Sequence, residues 1–320
     1  MVSTGRSPAL QAAAYLQLQH HGELAGRIKE AQALLKGCTL CPHHCGINRL
    51  AGEVGKCQIS ARAIVYGYGV HRGEEAPIVG KHGSGAIFFS GCNLKCIFCQ
   101  NYYISQTNKG KETSAEELAR IMLLLQDKGC HNINLVTPTH VVPQILEALE
   151  IAIGKGLHLP LVYNSGGYDS VTTLKLLENI IDIYLPDMKY GDAETAKQLS
   201  GIDNYPAINK DAIKEMHRQS GDLQMDKEGI AEHGLLVRHL VLPHGLAGTR
   251  EITTFLANEI SSNTYVNILA QYYPCYMAHK TPALARPITA TEFQEAMALA
   301  RQAGLNRLEK NRAYPLIAGI

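Results

Sequence analysis

The sequence predicts an α/β fold: six parallel strands in one sheet, open or partly closed, covered by helices and preceded by a cysteine-rich lobe. Three observations carry this. From Ala86 onward, short apolar runs alternate with segments of helical periodicity. The runs are apolar on both faces, as strands covered on both sides must be. In front of them, CTLCPHHCGINRLAGEVGKC (38–57) carries four cysteines on a glycine-bearing stretch with no regular period, the text of a metal-organised loop.

Taken in order, Pro8 to Lys36 is rich in Ala, Leu and Gln. Its apolar residues (Ala13, Leu16, Leu24, Ile28, Ala31, Leu34, Leu35) predict one or two helices, ended by Gly37. AIFFSG at 86–91 is the first strand. SAEELARIMLLLQDKG is a helix opened by Ser114 with Glu117 three residues on, a capping box, and closed near Gly129. Then follow the strand NINLVTP, the helix VVPQILEALEIAIG, the strand LPLVYN, the helix SVTTLKLLENI and the strand IDIYLPD. A helical insertion spans Ala193 to Gln219. Beyond it lie the strand GLLVRHLVLP, the helix TREITTFLANEI and the strand TYVNILAQYY. Thr289 with Glu292 caps a last helix, TEFQEAMALARQAGL, and the tail RAYPLIAGI is a candidate edge strand.

The chain has 320 residues, 46% of them hydrophobic and 18% charged, enough for one large α/β domain with additions. Its net charge of +1 offers no overall field for nucleic acid or an anionic membrane. No run reaches the apolar length of a membrane span and the start does not read as a signal peptide, so a soluble, cytoplasmic protein is expected. In a reducing compartment, clustered cysteines are better read as metal ligands or catalytic thiols than as disulfides. Seven of the nine cysteines are clustered; Cys130 and Cys275 stand alone and read as small packed residues.

The densest cluster is SGCNLKCIFCQN, with Cys92, Cys96 and Cys99 directly after the first strand. Parallel β/α units place their working loops at the carboxyl ends of the strands, so these thiols belong at the mouth of the sheet. Their spacing fits no zinc pattern that closes a tetrahedron. Iron–sulfur clusters take one cysteine per iron, and three cysteines leave one iron open to a substrate or cofactor.

This motif, in this place, resembles that of the radical S-adenosylmethionine (SAM) superfamily, and CIFCQN resembles the matching segment of the pyruvate formate-lyase activating enzymes. The wider text, CTLCPHHCGINRLAG, NLVTPTH, VYNSGGY, DIYLPDMKY and LLVRHLVLP, is similar to a family of uncharacterised relatives of that activating enzyme, over residues 35–305. The resemblance implies a partial (β/α)6 barrel of parallel strands at 63–280. An N-terminal helical and four-cysteine lobe (1–62) would precede it, and a C-terminal helix and tail (281–320) would follow. It implies that Cys92, Cys96 and Cys99 hold a 4Fe-4S cluster whose open iron is chelated by the amino and carboxylate groups of S-adenosylmethionine. One electron then cleaves the sulfonium, giving a 5′-deoxyadenosyl radical that takes a hydrogen atom from substrate.

The resemblance also assigns cofactor contacts. Phe98 would lie against the adenine, where an aromatic in this position is otherwise core. Asn101 would order the cofactor or cap the loop. The family's Gly-Gly-Glu loop, which meets the methionine amine, is replaced by Thr137-Pro138-Thr139-His140, leaving Thr137 or Thr139 to accept from the ammonium. Asn164 and Ser165 are candidates for ribose or carboxylate contacts, and the neighbouring Gly166-Gly167 reads as a turn. Asp187 and Lys189 match a DxK element that binds cofactor carboxylate or a monovalent cation; a surface ion pair is the plain alternative. Arg238, Gln271 and Tyr273 fall where the fold flanks the cofactor, and Arg238, a charge within an apolar strand, needs a partner. His140 is expected to be structural rather than an acid or base.

Cys38, Cys41, Cys45 and Cys57 suffice for a closed zinc site or a fully ligated second cluster, with His43 and His44 as loop residues. The expected protein is therefore a radical SAM oxidoreductase, with abstraction from a backbone glycine of a partner, as by a glycyl-radical-enzyme activase, as the leading role. Modification of a peptide or small molecule is the second role, and a non-catalytic zinc or electron-transfer protein is the alternative of another class. Expected partners are a protein or peptide substrate and a low-potential electron donor such as flavodoxin or ferredoxin, with no nucleic acid and no membrane.

Overall fold

The computed structural model describes residues 13–310. The N-terminal part of the first predicted helix and the tail at 312–320 lie outside the described residues. Two helices, α1 (Tyr15–His20) and α2 (Leu24–Ala33), lead in. They are tied to the amino ends of the strands: Ala14 N donates to Asp182 and the Tyr15 hydroxyl to Leu159 O.

The six predicted strands are all present: β2 (Ser84–Phe89), β4 (Ile133–Val136), β5 (Leu161–Ser165), β6 (Ile183–Pro186), β8 (Ala231–Leu240) and β9 (Tyr265–Leu269). They pair in parallel, in chain order. Four further strands escape the sequence reading. β1 (Ala63–His71) and β3 (Lys111–Thr113) extend the sheet antiparallel beside β2, β7 (Gln224–Met225) pairs antiparallel with β8, and β10 (Arg307–Leu308) pairs parallel with β9. In β1 the text YGYGV sets glycine against Tyr66, Tyr68 and Val70, which face solvent, so no apolar run marks the strand.

The helices are α3 (Ala76–Val79), α4 (Tyr102–Ser105), α5 (Ala115–Asp127), α6 (Val142–Ile153), α7 (Val171–Leu176), α8 (Ala193–Ser200), α9 (Tyr205–Ser220), α10 (Thr249–Phe255) and α11 (Ala290–Gln302). Both predicted capping boxes form, Ser114 with Glu117 and Thr289 with Glu292, each contributing about 1 kcal/mol to its helix. α5 buries Leu118, Ile121, Met122 and Leu125 on one face, the period that marks it in the sequence. α10 ends in a π-helical turn, Leu256–Ile260, where one continuous helix is expected from the sequence.

The sheet curls around its own inner face. Val162, Ile183 and Leu236 meet Ile78 of α3 in one apolar layer. The next layer toward the carboxyl ends is polar: Asn134 of β4 bonds Glu74, Arg238 of β8 bonds Glu74, Glu75 and Asn164 of β5, and Asn267 of β9 bonds Glu75. Four strands spread across the sheet reach one Glu74-Glu75 pair only if the sheet bends into a crescent, here plugged at its amino end by α3. This is the predicted partial barrel.

Candidate active site

The loop after β2 carries the three thiols. Cys96 is buried and Cys92 and Cys99 are half-buried. Each sulfur accepts a hydrogen bond: Cys92 from Leu94 N at 3.3 Å, Cys96 from Ser200 Oγ at 3.1 Å and Cys99 from Ser105 Oγ at 3.3 Å. Burial, then the neighbouring Cys96, raises the Cys92 thiol and pushes Cys99 up to about 12. Burial thus favours the neutral form of the bare Cys92 and Cys99 thiols, and a cationic metal core is what would make them ligating thiolates. Among the described residues no three His, Cys, Asp or Glu side chains converge on a single ion-sized point. Separate sulfurs, each with its own donor, suit a cluster that takes one thiolate per iron. The residues therefore fit a 4Fe-4S cluster.

One residue, Ile97, fastens this loop across the barrel mouth. Ile97 N donates to Leu199 O at the end of α8, and Ile97 O accepts from Met277 N in the loop after β9, both at 2.9 Å.

The sequence-predicted contacts collect at the same end. Thr137 directly follows β4 with φ +61°, a left-handed conformation unusual for a β-branched residue and a mark of a constrained loop. Its amide donates to Asn164 O at 2.8 Å. Thr139 and Ser165 both donate to Asp169, at 2.6 Å each, and Tyr163 adds a third donor at 2.9 Å. Asp169 is buried, and burial raises its pKa against the pull of these hydroxyl donors. It welds the TPTH loop to the NSGGYD loop; the sequence reading missed it because a lone Asp after a glycine pair reads as turn.

Asp187 follows β6 and pairs with Lys189 at 2.6 Å. Burial opposes the Lys189 charge, but Asp187 and the nearby Cys96 hold its ammonium well above the usual range. The predicted surface alternative is thus set aside: Lys189 faces the thiols. α9, which reads as an insertion in the sequence, serves this corner. Tyr205 accepts from Lys189 N at 3.0 Å and donates to Gly166 O at 2.9 Å, and Asn209 donates to Gly167 O and Asp187 O. Gly167 has φ +74°, and a side chain there would run into Asp187 O and Asn209. The glycine pair is the expected turn.

Other predicted residues sit at the site with different partners. Phe98 is buried between the edges of Tyr190 and Tyr272, at 6.2 and 6.1 Å between centroids. Asn101 opens α4, but its exposed side chain makes no cap bond. Arg238 finds its partners in Glu74 and Glu75, acids invisible as a site in the sequence because they lie ahead of the first predicted strand. Gln271 is exposed and accepts at its carbonyl from Gln100 Nε2 at 2.8 Å, and Tyr273 is exposed on the rim.

His140 is buried: its Nε2 donates to Ser90 O at 2.8 Å, and burial lowers its pKa to about 4. His43 is more than a loop residue, since its Nε2 donates to Asn93 O at 2.7 Å and its ring packs edge-on against Tyr168. Cys130 is buried in the core and Cys275 half-buried in the loop after β9. No helix among the described residues is long and apolar enough to cross a membrane.

Residues 86–224 match the model of the Radical SAM superfamily. Over 290 residues the chain is 33% identical to an uncharacterised protein of Methanocaldococcus jannaschii, spanning 88% of this chain and 79% of that protein. Among solved structures, a radical SAM methyltransferase from Sphaerobacter thermophilus aligns over 71% of this chain and 67% of its own, with TM-score 0.49 and 13% identity. Methylornithine synthase aligns over 68% and 67%, with TM-score 0.43 and 16% identity. The matched stretch opens at the strand that delivers the three thiols and runs through the loops after β4, β5 and β6, and the chain belongs to the radical SAM superfamily, whose cofactors are a 4Fe-4S cluster and S-adenosylmethionine.

Proposed function

We propose that this protein is a cytoplasmic radical SAM oxidoreductase that takes a hydrogen atom from a protein or peptide, with a backbone glycine of a glycyl-radical enzyme as the leading target. A low-potential donor such as flavodoxin or ferredoxin would supply the electron. Bound together, the cluster and S-adenosylmethionine supply one-electron cleavage of the sulfonium bond and a carbon radical able to abstract hydrogen. Cys92, Cys96 and Cys99 hold the cluster, and Lys189 places positive charge beside their sulfurs. Thr137, Asn164 and Arg238 line the carboxyl side of the barrel interior, where polar groups would face the cofactor.

The observation that favours a macromolecular substrate is the rim. Tyr103, Tyr273 and Tyr276 are 47%, 51% and 40% exposed beside the cysteine loop. Tyr276 stacks on Tyr102 at 5.3 Å, and Lys109 lies over Tyr103 at 4.1 Å. Exposed aromatics with a cationic neighbour are what a docking peptide uses. A small molecule would instead call for an enclosed apolar pocket.

Dithionite-reduced, reconstituted protein with S-adenosylmethionine should release 5′-deoxyadenosine, and a Cys96→Ala variant should not. Equal release by both would end the radical reading. For the substrate class, an anaerobic photo-crosslink placed at Tyr273 should capture a protein partner, and capture that is unchanged when Tyr103 and Tyr276 are replaced by Ser would argue against the rim.

A further inference from the structure

Arg49 is a fully buried guanidinium whose partners include no carboxylate. Its Nε donates to Ser60 O at 2.9 Å and its Nη1 to His140 O at 2.8 Å. Nη1 also stands 4.0 Å from Cys38 Sγ, and Nη2 is buried with no partner among the described residues. A desolvated cation left in this state costs several kcal/mol unless an anion faces it. Around it lie not acids but thiols.

Those thiols are Cys38, Cys41, Cys45 and Cys57, brought together by a tight loop. Cys38 N donates to Ile47 O at 2.8 Å, Gly46 N to Cys38 O at 3.0 Å and His44 N to Cys41 O at 3.0 Å. His44 and Gly46 take positive φ, so the loop turns back on itself between Cys41 and Cys45 and swings Cys45 toward Cys57. Cys38, Cys41 and Cys57 are buried, and Cys41 feels the charge of each of the other three. Gly55 leaves room for the fourth, since a side chain there would stand 2.8 Å from Cys45 Sγ.

We propose that Cys38, Cys41, Cys45 and Cys57 hold a second, closed metal centre, all four as thiolates, with Arg49 as its resident counter-cation. Four thiolates around a zinc dication, or around a 4Fe-4S core of the same charge, leave a net dianion, the charge that Arg49 lacks. Assembly releases one proton from each thiol and needs no redox partner when the metal is zinc; an iron–sulfur core of charge +2 is supplied preformed, or from two ferric and two ferrous ions with four sulfides.

The centre is coupled to the first site through Arg49. Its Nη1 holds the carbonyl of His140, the last residue of the TPTH loop, and His140 in turn holds Ser90 O at the root of the cysteine loop. The lobe presses on that root directly, for a side chain at Gly91 would meet Cys57 O at 2.6 Å.

The test uses the full chain with Cys92, Cys96 and Cys99 all replaced by Ala, which removes the first cluster and leaves the second centre intact. Reconstituted anaerobically with iron and sulfide, or titrated with zinc and cobalt, it should retain one zinc per chain or one 4Fe-4S cluster per chain. Cobalt should show the intense charge-transfer bands of sulfur ligation. Adding Cys41→Ala and Cys57→Ala should abolish retention. Loss of metal to a chelator should quicken at least about tenfold in Arg49→Met and recover in Arg49→Lys.

A variant with native circular dichroism that binds none of the three metals overturns the centre. So does retention unaffected by loss of Cys41 and Cys57. An unchanged chelation rate in Arg49→Met overturns the counter-cation. None of these readouts depends on S-adenosylmethionine cleavage, so failure of the radical reading would be seen separately.

Discussion

Arg238 of β8 and Glu75 ahead of α3 face each other in a two-point ion pair, Nε to Oε1 at 2.7 Å and Nη2 to Oε2 at 3.0 Å, inside the barrel. Burial opposes the Glu75 charge, but Arg238 and the Asn267 amide hold its pKa below the usual carboxylate range. Removing one partner strands the other charge in a dry interior. Glu75→Leu should therefore cost about 3–5 kcal/mol in urea unfolding. Glu74 still touches Arg238, so a loss well under 1 kcal/mol would mean that Glu74 alone satisfies the guanidinium.

Two buried histidines give the fold an acid limit. Burial holds His140 and His239 at about 4, against an unperturbed 6.5. His239 Nδ1 donates to Met188 O, and its Nε2 accepts from the Thr249 hydroxyl, so the ring is neutral in the native state. Between about pH 4 and 6.5 the unfolded chain binds protons that the native chain refuses. Stability contributed by these groups is thus present above 6.5 and is lost as the pH falls toward 4, by up to about 3 kcal/mol for each ring. Melting curves from pH 7 to 4.5 should show a shallower acid decline in His239→Gln than in the unchanged protein; parallel curves would refute the assignment.

The TPTH loop offers a contrast between neighbours. Thr137→Gly should leave stability within about 0.5 kcal/mol, because relief at φ +61° offsets the added freedom of glycine in the unfolded chain. Thr139→Val should cost about 1–3 kcal/mol, since buried Asp169 loses one of its three hydroxyl donors. Chemical denaturation of the two variants side by side checks the difference.

Lys189 should tune the cluster. Its ammonium lies within electrostatic reach of Cys92, Cys96 and Cys99. A nearby cation favours the more negative, reduced state, so Lys189→Met should move the reduction potential negative, on the order of tens of millivolts. Asp187→Asn should move it the other way. Spectroscopic redox titration of the reconstituted variants reads both signs.

The parallel half of the fold was legible because NINLVTP, LPLVYN and IDIYLPD are apolar on both faces and alternate with helical periods, one of them opened by the Ser114–Glu117 capping box. β1 was not, since its YGYGV text hides a strand whose aromatic face points to solvent. In the site, spacing marked Cys92, Cys96 and Cys99 as a group at a strand end, and the family resemblance, not the local text, pointed to Thr137, Asn164, Ser165 and Asp187. What stayed hidden depends on distance in sequence. Glu75 meets Arg238 across 163 residues and Arg49 meets His140 across 91, and neither pairing leaves a local mark. Asp169 was hidden differently: its function is set by three hydroxyls aimed at it, not by its neighbours in the text.

The fastening at Ile97 has a consequence for how the protein matures. The cysteine loop, at the β2 horn of the crescent, is held through the N–H and C=O of Ile97 to α8, midway round the sheet, and to the loop after β9 at the other horn. Any chaperone or assembly factor that needs the thiols splayed must unhook both ends at once, and a filled cluster clamps the same segment from within. The clasp holds by hydrogen bonds the same segment whose thiols would hold the cargo, so the backbone and the metal ligands of this loop are constrained together.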